Sequence, residues 1–251
     1  MPCVYPQQRN TKTNVADSVP ADAAKLLRAY KNVISGFANN HIVFKDKSTM
    51  VWDDGIKNKS VIELLERPDL EDMFSQQYVK GIPVSAPTKN FDPGRVRNEA
   101  FFMKIYGGSA AEVEKNLTTI VWCPKLVGQT IRITRVNEVD KKLMQVSKEL
   151  DEHPEWKNYL VNIGGTFLWR NIRGTNRHSM HSFGMTVDIN TDYSDYWQWA
   201  CHCTDESNDV KYKNRIPQGI VDIFEKYGFI WGGKWYHYDT MHFEYRPELL
   251  N

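Results

Sequence analysis

Two imidazoles and two carboxylates with the makings of a metal centre fall in two short stretches of the chain. The first, Ser179-Met180-His181-Ser182-Phe183-Gly184-Met185-Thr186-Val187-Asp188, sets a histidine and an aspartate seven positions apart around a glycine. The second, Asp239-Thr240-Met241-His242-Phe243-Glu244, follows the aromatic run Trp231-Gly232-Gly233-Lys234-Trp235. A hydrolytic zinc takes three nitrogen or oxygen ligands and leaves its fourth position for water. His181, Asp188 and His242 fill that quota for one ion. Two neutral imidazoles and one carboxylate cancel only one of the two metal charges, so the ion remains a strong Lewis acid and brings its water to a pKa of roughly 7. Asp239, three residues before His242, is placed to act as general base and to return the proton to a leaving amine.

The pattern Ser-x-His-x-x-Gly-x-x-x-Asp, followed much later by Asp-x-x-His-x-Glu, resembles the zinc peptidases of bacterial cell-wall peptides. That group includes the VanX and VanY D-alanyl-D-alanine peptidases and the L-alanyl-D-glutamate endopeptidases of phage endolysins. The resemblance covers Ser179 to Asp188 and Trp231 to Arg246. It implies zinc on His181, Asp188 and His242, with Asp239 as catalytic base, where Asp is similar to the endopeptidase branch and other members carry Glu. Thr186 departs from the small residue that many members have two before the metal aspartate. The resemblance also implies an arginine upstream of the first ligand to hold a substrate carbonyl or carboxylate. Arg170 is the first choice and Arg173 the second; a planar guanidinium there would stabilise developing oxyanion charge. The implied substrate is a peptidoglycan stem peptide, cut at D-Ala-D-Ala or at L-Ala-D-Glu. The implied place of action is the cell envelope, periplasmic or secreted. The competing reading is a zinc-stabilised domain that binds peptidoglycan or protein without turnover, as the hedgehog signalling domain, similar in fold, illustrates; Asp239 and the arginine argue for catalysis.

Around these residues the sequence offers a supporting cast. Alternation puts Glu244 on the same strand face as His242, from which it could orient that ligand. Ser179 lacks a Gly-x-Ser-x-Gly context and is read as a hydrogen-bonding support near the metal rather than a nucleophile. His237 and Trp235 are candidates for substrate contact, with packing the alternative for His237. His41, His153, His178 and His202 are assigned no chemistry. Cys201-His202-Cys203 lacks a second pair at zinc-finger spacing, and a structural or disulfide role is expected. Asp53-Asp54-Gly55 reads as turn chemistry rather than as a second metal site.

Composition narrows the function classes. The 251 residues carry 32 basic and 31 acidic side chains, for a formal charge of +1. There is thus no global field to draw in nucleic acid or an acidic membrane, and neither partner is expected. No apolar run is long enough to span a membrane. Met1 to Tyr5 opens into polar sequence without a signal-peptide pattern, which leaves the export route open. A monomer is expected.

The elements that must position the site follow from periodicity. The expected fold is α+β: a small central antiparallel sheet flanked by helices in residues 91–251, with a mainly helical N-terminal extension over 1–90 packed on it. Residues 1 to about 20 read as a loose arm. Leu26, Leu27, Tyr30, Val33, Ile34 and Phe37 share one helical face over Ala24–Phe37. Ile42–Phe44 and Met50–Trp52 suit a hairpin. Ser60 opens a capping box that Pro68 ends. Asp92-Pro93-Gly94 reads as the start of a helix running to Tyr106, and Ser109 to Glu112 as a further capping box. Strands are expected at Leu117–Trp122, Thr130–Val136 and Leu160–Trp169, and a helix capped by Asn137 at Val139–Leu150. Thr191–Asn214, rich in Tyr and Trp, is expected to form an irregular rim beside the site. A helix over Pro217–Tyr227 and neighbouring strands at Phe229–Trp231 and His242–Tyr245 complete the reading.

Overall fold

Alternation of side chains places the metal-binding candidates on one face of a sheet and the core on the other. The computed structural model describes residues 18–82, 85–206 and 208–250; the first 17 residues of the expected loose arm, with Cys3, lie outside them. The N-terminal region is mixed rather than mainly helical. Helix α1 (Ala21–Ala29) is followed by a three-stranded antiparallel sheet, β1 (Ile34–Ala38), β2 (His41–Phe44) and β3 (Thr49–Val51), and then by the short helix α2 (Val61–Glu66). The helix expected to reach Phe37 stops at Ala29 because the β-branched Val33 and Ile34 and then Gly36 give way to pairing with β2. The β2–β3 hairpin and the Ser60 capping box form as the sequence predicts. This region is fastened to the C-terminal part: the Tyr30 hydroxyl donates to Glu248, and Tyr78 donates to Glu225 at 2.6 Å.

Helix α3 (Glu99–Tyr106) starts six residues later than a cap at Asp92 would have it, and Asn98 is its cap. Gly94, at φ +93°, turns the chain away from helix, while the Asp92 carboxylate accepts from the backbone and ring of His237. After α4 (Ala110–Glu114), strands β4 (Leu117–Trp122) and β5 (Gln129–Thr134) form an antiparallel pair. At α4, Ser109 caps the Glu112 amide, but Glu112 reaches back to Gly108 rather than closing a full box. Helix α5 (Val139–Leu150) has the predicted bounds but not the predicted cap. Asn137 and Glu138 both adopt left-handed backbone, and the Asn137 amide donates to the Ala29 carbonyl.

The central sheet is four-stranded and antiparallel, in the order β6-β7-β9-β8. Strand β6 (Ile163–Gly165) follows the short helix α6 (Lys157–Leu160). It is much shorter than the expected Leu160–Trp169 strand, because beyond Gly165 the backbone bonds to the loop that carries His181 instead of to a strand. Strand β7 (Thr186–Asn190) and, beyond α7 (Trp197–Cys201) and α8 (Gln218–Lys226), strands β8 (Phe229–Trp231) and β9 (His242–Tyr245) complete it. Asp188 pairs directly with His242, and Thr186 with Glu244. Val187, Ile189, Phe243 and Tyr245 therefore point to the opposite face. That face is the core: Phe243 stacks on Phe224 of α8 with ring centroids 3.7 Å apart, and β4, α5 and α8 close over it. No helix among the described residues is long and apolar enough to cross a membrane.

Candidate metal centre and its cleft

His181 sits on a single 3-10 turn, Met180–Phe183, that Gly184 ends in left-handed backbone at φ +62°. A Cβ at Gly184 would lie 2.7 Å from the Leu117 side chain, so glycine is required both by conformation and by space. The turn aims the His181 ring at β7. His181 Nε2 lies 3.1 Å from one oxygen of Asp188, and His242 Nδ1 lies 3.0 Å from the other. One ligand atom from each of the three lies within 4.8 Å of the other two. The remaining ring nitrogens are also committed: His181 Nδ1–H donates to the Thr166 carbonyl at 3.3 Å, and His242 Nε2–H to Glu244 at 3.3 Å. Those outer bonds select the tautomers that leave His181 Nε2 and His242 Nδ1 as lone-pair donors, as metal-binding histidines require.

Glu244 is itself held. It is fully buried, and Arg97 grips it through Nε and Nη2, the latter at 2.6 Å, while Arg246 Nη1 donates at 3.0 Å. Burial pushes its carboxyl up, but Arg97, His242 and Arg246 outweigh that and hold it well below the usual range. The Arg97 guanidinium lies over Trp235, whose ring packs against His242 and whose Nε1 donates to the Pro93 carbonyl. Trp235 is thus a wall of the site. Burial likewise opposes the charge on His242, yet hydrogen bonds to Asp188 and Glu244 raise it to about 10 in the metal-free state. Burial pushes the Asp188 carboxyl up, but His181 and His242 beside it hold it well below the usual carboxylate range.

Asp239 enters from the turn before β9. Its amide donates to the Gly232 carbonyl at 3.0 Å, and its own carbonyl accepts from His242 N. A Cβ on Gly232 would come within 2.6 Å of that carbonyl, so the glycine lets the two segments approach. The Asp239 Oδ1 atom is buried without a hydrogen-bond partner. Burial, and then the Asp188 charge, raise this carboxyl to about 6. A buried carboxylate oxygen without a donor, beside two imidazoles and a second carboxylate, is what a cation and its water would satisfy. The donor set therefore fits zinc, with His181, Asp188 and His242 as its holders.

The site lies in a cleft of about 680 Å³. Arg170 and Arg173 both line it, with exposed side chains. Arg170 is placed by its backbone: its amide donates to the Ser182 hydroxyl, which in turn donates to the Arg170 carbonyl, both at 3.0 Å. Ser179 contributes through its main chain, its amide donating to the same Arg170 carbonyl. It makes no side-chain hydrogen bond to His181, Asp188 or His242, so the expected hydroxyl support is replaced by backbone. His237 lies at the cleft wall with both ring nitrogens spoken for, Nδ1 by Asp92 at 2.7 Å and Nε2 by the Glu206 carbonyl at 3.0 Å. It packs; it does not reach for substrate. Of the expected irregular Thr191–Asn214 rim, Tyr196, Trp197 and Trp199 line the cleft, but they do so largely from helix α7, with Tyr196 bridged to Asp239 through backbone. Cys201 and Cys203 are joined by a disulfide there, which removes them from metal binding. In the cluster of Asp53, Asp54 and Asp69, the Lys59 ammonium donates to Asp54 and Asp69 at 2.9 and 3.2 Å and the Lys57 ammonium to Asp53 at 2.7 Å, while Asp53 and Asp54 accept from the amides of Gly55 and Ile56. An internal cation and turn chemistry account for that cluster.

Sequence reasoning missed Thr166, Ser182 and Arg97. Thr166 acts through its carbonyl, which any residue has, and Arg97 lies 147 positions from Glu244. Only Ser182, next to His181, left a local trace. Comparison with known proteins adds one finding. Residues 173–245 match the family model described as D-alanyl-D-alanine carboxypeptidase. The match supports a peptidase. It takes in His181, Asp188, Asp239 and His242, stops short of Arg170, and covers less than half of the chain. No curated protein and no solved structure matches.

Proposed function

We propose that this protein is a zinc metallopeptidase that cleaves stem peptides of bacterial peptidoglycan, acting as a monomer in the cell envelope. The observation that carries the reading is the convergence of His181 Nε2, Asp188 and His242 Nδ1 beside Asp239, whose Oδ1 atom is buried without a hydrogen-bond partner. When bound there, zinc supplies Lewis acidity toward the scissile carbonyl and toward water. Asp239 takes the proton of the attacking water and passes it to the departing amine. Burial holds the Asp239 carboxyl above its ordinary value, a direction that favours proton uptake from water and return to the amine. Arg170 donates to the carbonyl oxygen as negative charge develops on it. Trp235 and the Tyr196–Trp199 rim limit water around the reacting atoms. The family description favours the D-Ala-D-Ala bond over L-Ala-D-Glu.

The test measures bound zinc and fragments released from purified muropeptides, for the unmodified protein and Asp239→Ala. Zinc retained in both with turnover lost only in the variant is expected, and the fragment masses name the bond. Negligible turnover in both would instead mark a zinc-stabilised binding domain.

A further inference from the structure

Two walls of the cleft come from separate parts of the chain. One is a small hairpin over residues 171–178, closed by the Asn171–His178 bridge and by the Ile172 amide donating to the Arg177 carbonyl. His178 fastens it to α3, its amide and its ring both held by Glu99 at 2.8 Å. The other wall is α7 and the chain that leaves it, pinned by the Cys201–Cys203 disulfide. Ile172 of the hairpin and Trp197 and Thr204 of the rim line the cleft, and they also line a recess of about 100 Å³ that opens between the two walls.

Glu206 is the one acid lining that recess. Its backbone carbonyl accepts from His237 Nε2 at 3.0 Å, and its carboxylate accepts from Arg95 Nη2 at 2.9 Å and Nη1 at 3.3 Å. Arg95 is in turn tied to Asp92 at 3.0 Å, in the segment before α3. The oxygen that takes Arg95 Nη2 also lies 3.8 Å from Arg177 Nη2, on the hairpin. Glu206 therefore stands between guanidinium groups from two different segments. Burial lowers Arg177 from its ordinary value and Arg95 adds to that, while Glu206 is the charge that offsets it most. The side chains of Arg95, Arg177 and Glu206 are only 12%, 17% and 26% exposed, so little water screens them. Take the carboxylate away and the two cations repel, which parts the hairpin from the rim.

We propose that Glu206 is a positioning residue for substrate entry: by holding Arg95 and Arg177 together, it clasps the rim to the hairpin and sets the width of the cleft mouth. The effect on substrate rests on the peptidase reading, whereas the clasp itself does not.

The experiment uses the full zinc-loaded chain and Glu206→Gln, which keeps the side-chain shape and the main-chain bond to His237 and leaves Arg95 with Asp92. Hydrogen exchange followed by mass spectrometry should speed up about tenfold in residues 171–178 and 197–204 alike, the mark of a local opening. Arg177→Gln should loosen the same two segments, and the double variant no more than the larger single effect, because both remove one contact. Glu206→Asp should recover part of the protection. With purified muropeptides, KM should rise about tenfold as the closed arrangement becomes the minority, while kcat and bound zinc hold. Unchanged exchange in the hairpin, additive effects in the double variant, or a loss of kcat or of zinc in place of the rise in KM overturns the inference. The two readings fail separately. If the unmodified protein leaves muropeptides intact while both walls loosen in Glu206→Gln, the peptidase reading falls and the clasp stands; turnover with the walls unmoved does the reverse.

Discussion

Replacing Glu244 by Ala should cost far more stability than its size suggests. The side chain is fully buried, and it compensates two guanidinium groups and one imidazole at once. Without it Arg97 loses its acidic partner. Arg246, fully buried with Nη2 already unpartnered, keeps only Glu248 and the Gly94 carbonyl. Stranding a buried charge in this way costs about 3–5 kcal/mol. For a chain of this size that corresponds to a fall in melting temperature of roughly 6–20 °C. Glu244 also fixes the tautomer of His242, so zinc affinity should drop about 10–100-fold. The assay is urea unfolding of the metal-free protein, paired with zinc titration against a competing chelator. The sign with pH is defined. Because the folded carboxyl lies below its unfolded value of about 4.3, its contribution is complete above that pH and is lost as pH falls through the folded value. The gap between variant and parent should therefore be flat from pH 6 to 8 and close only in strong acid. A loss under about 1 kcal/mol would refute the charge argument, and unchanged zinc affinity would refute the orienting role.

Gly184→Ala forces a β-carbon into left-handed backbone and against Leu117; it should cost about 1–2 kcal/mol in denaturant melts and, lying between two ligands, weaken zinc binding as well. Burial pushes the Cys123 thiol up to about 12, so roughly one molecule in ten thousand carries the thiolate at pH 8. Peptide mapping after iodoacetamide treatment at pH 8 should find Cys123 unlabelled in folded protein and labelled once it is unfolded.

The residues that a metal would touch were readable because their spacing carries the geometry. Asp188 and His242 are partners across β7 and β9, and the alternation seen in sequence is the alternation of that ladder. Helices α5 and α8 were legible for the same reason, their apolar stripes having a period that no neighbour overrides. Failures came where tertiary partners won. Asp92 has every local mark of a helix cap, yet it serves His237, 145 residues away. Val33 to Phe37 carries a helical apolar pattern, yet the β2 strand offers it pairing. The outer support of the site was hidden because Thr166 acts through a main-chain oxygen and Arg97 across 147 positions, neither of which leaves a local pattern.

The orphaned oxygen of Asp239 has an implication for protein engineering. A buried carboxylate with one oxygen lacking a donor weakens the metal-free fold, so an uncharged side chain of similar shape, as in Asp239→Asn, should raise its melting temperature. A library of variants ranked by heat resistance alone would therefore enrich for inert molecules. Any effort to make a robust version needs a selection for turnover run alongside the heat step.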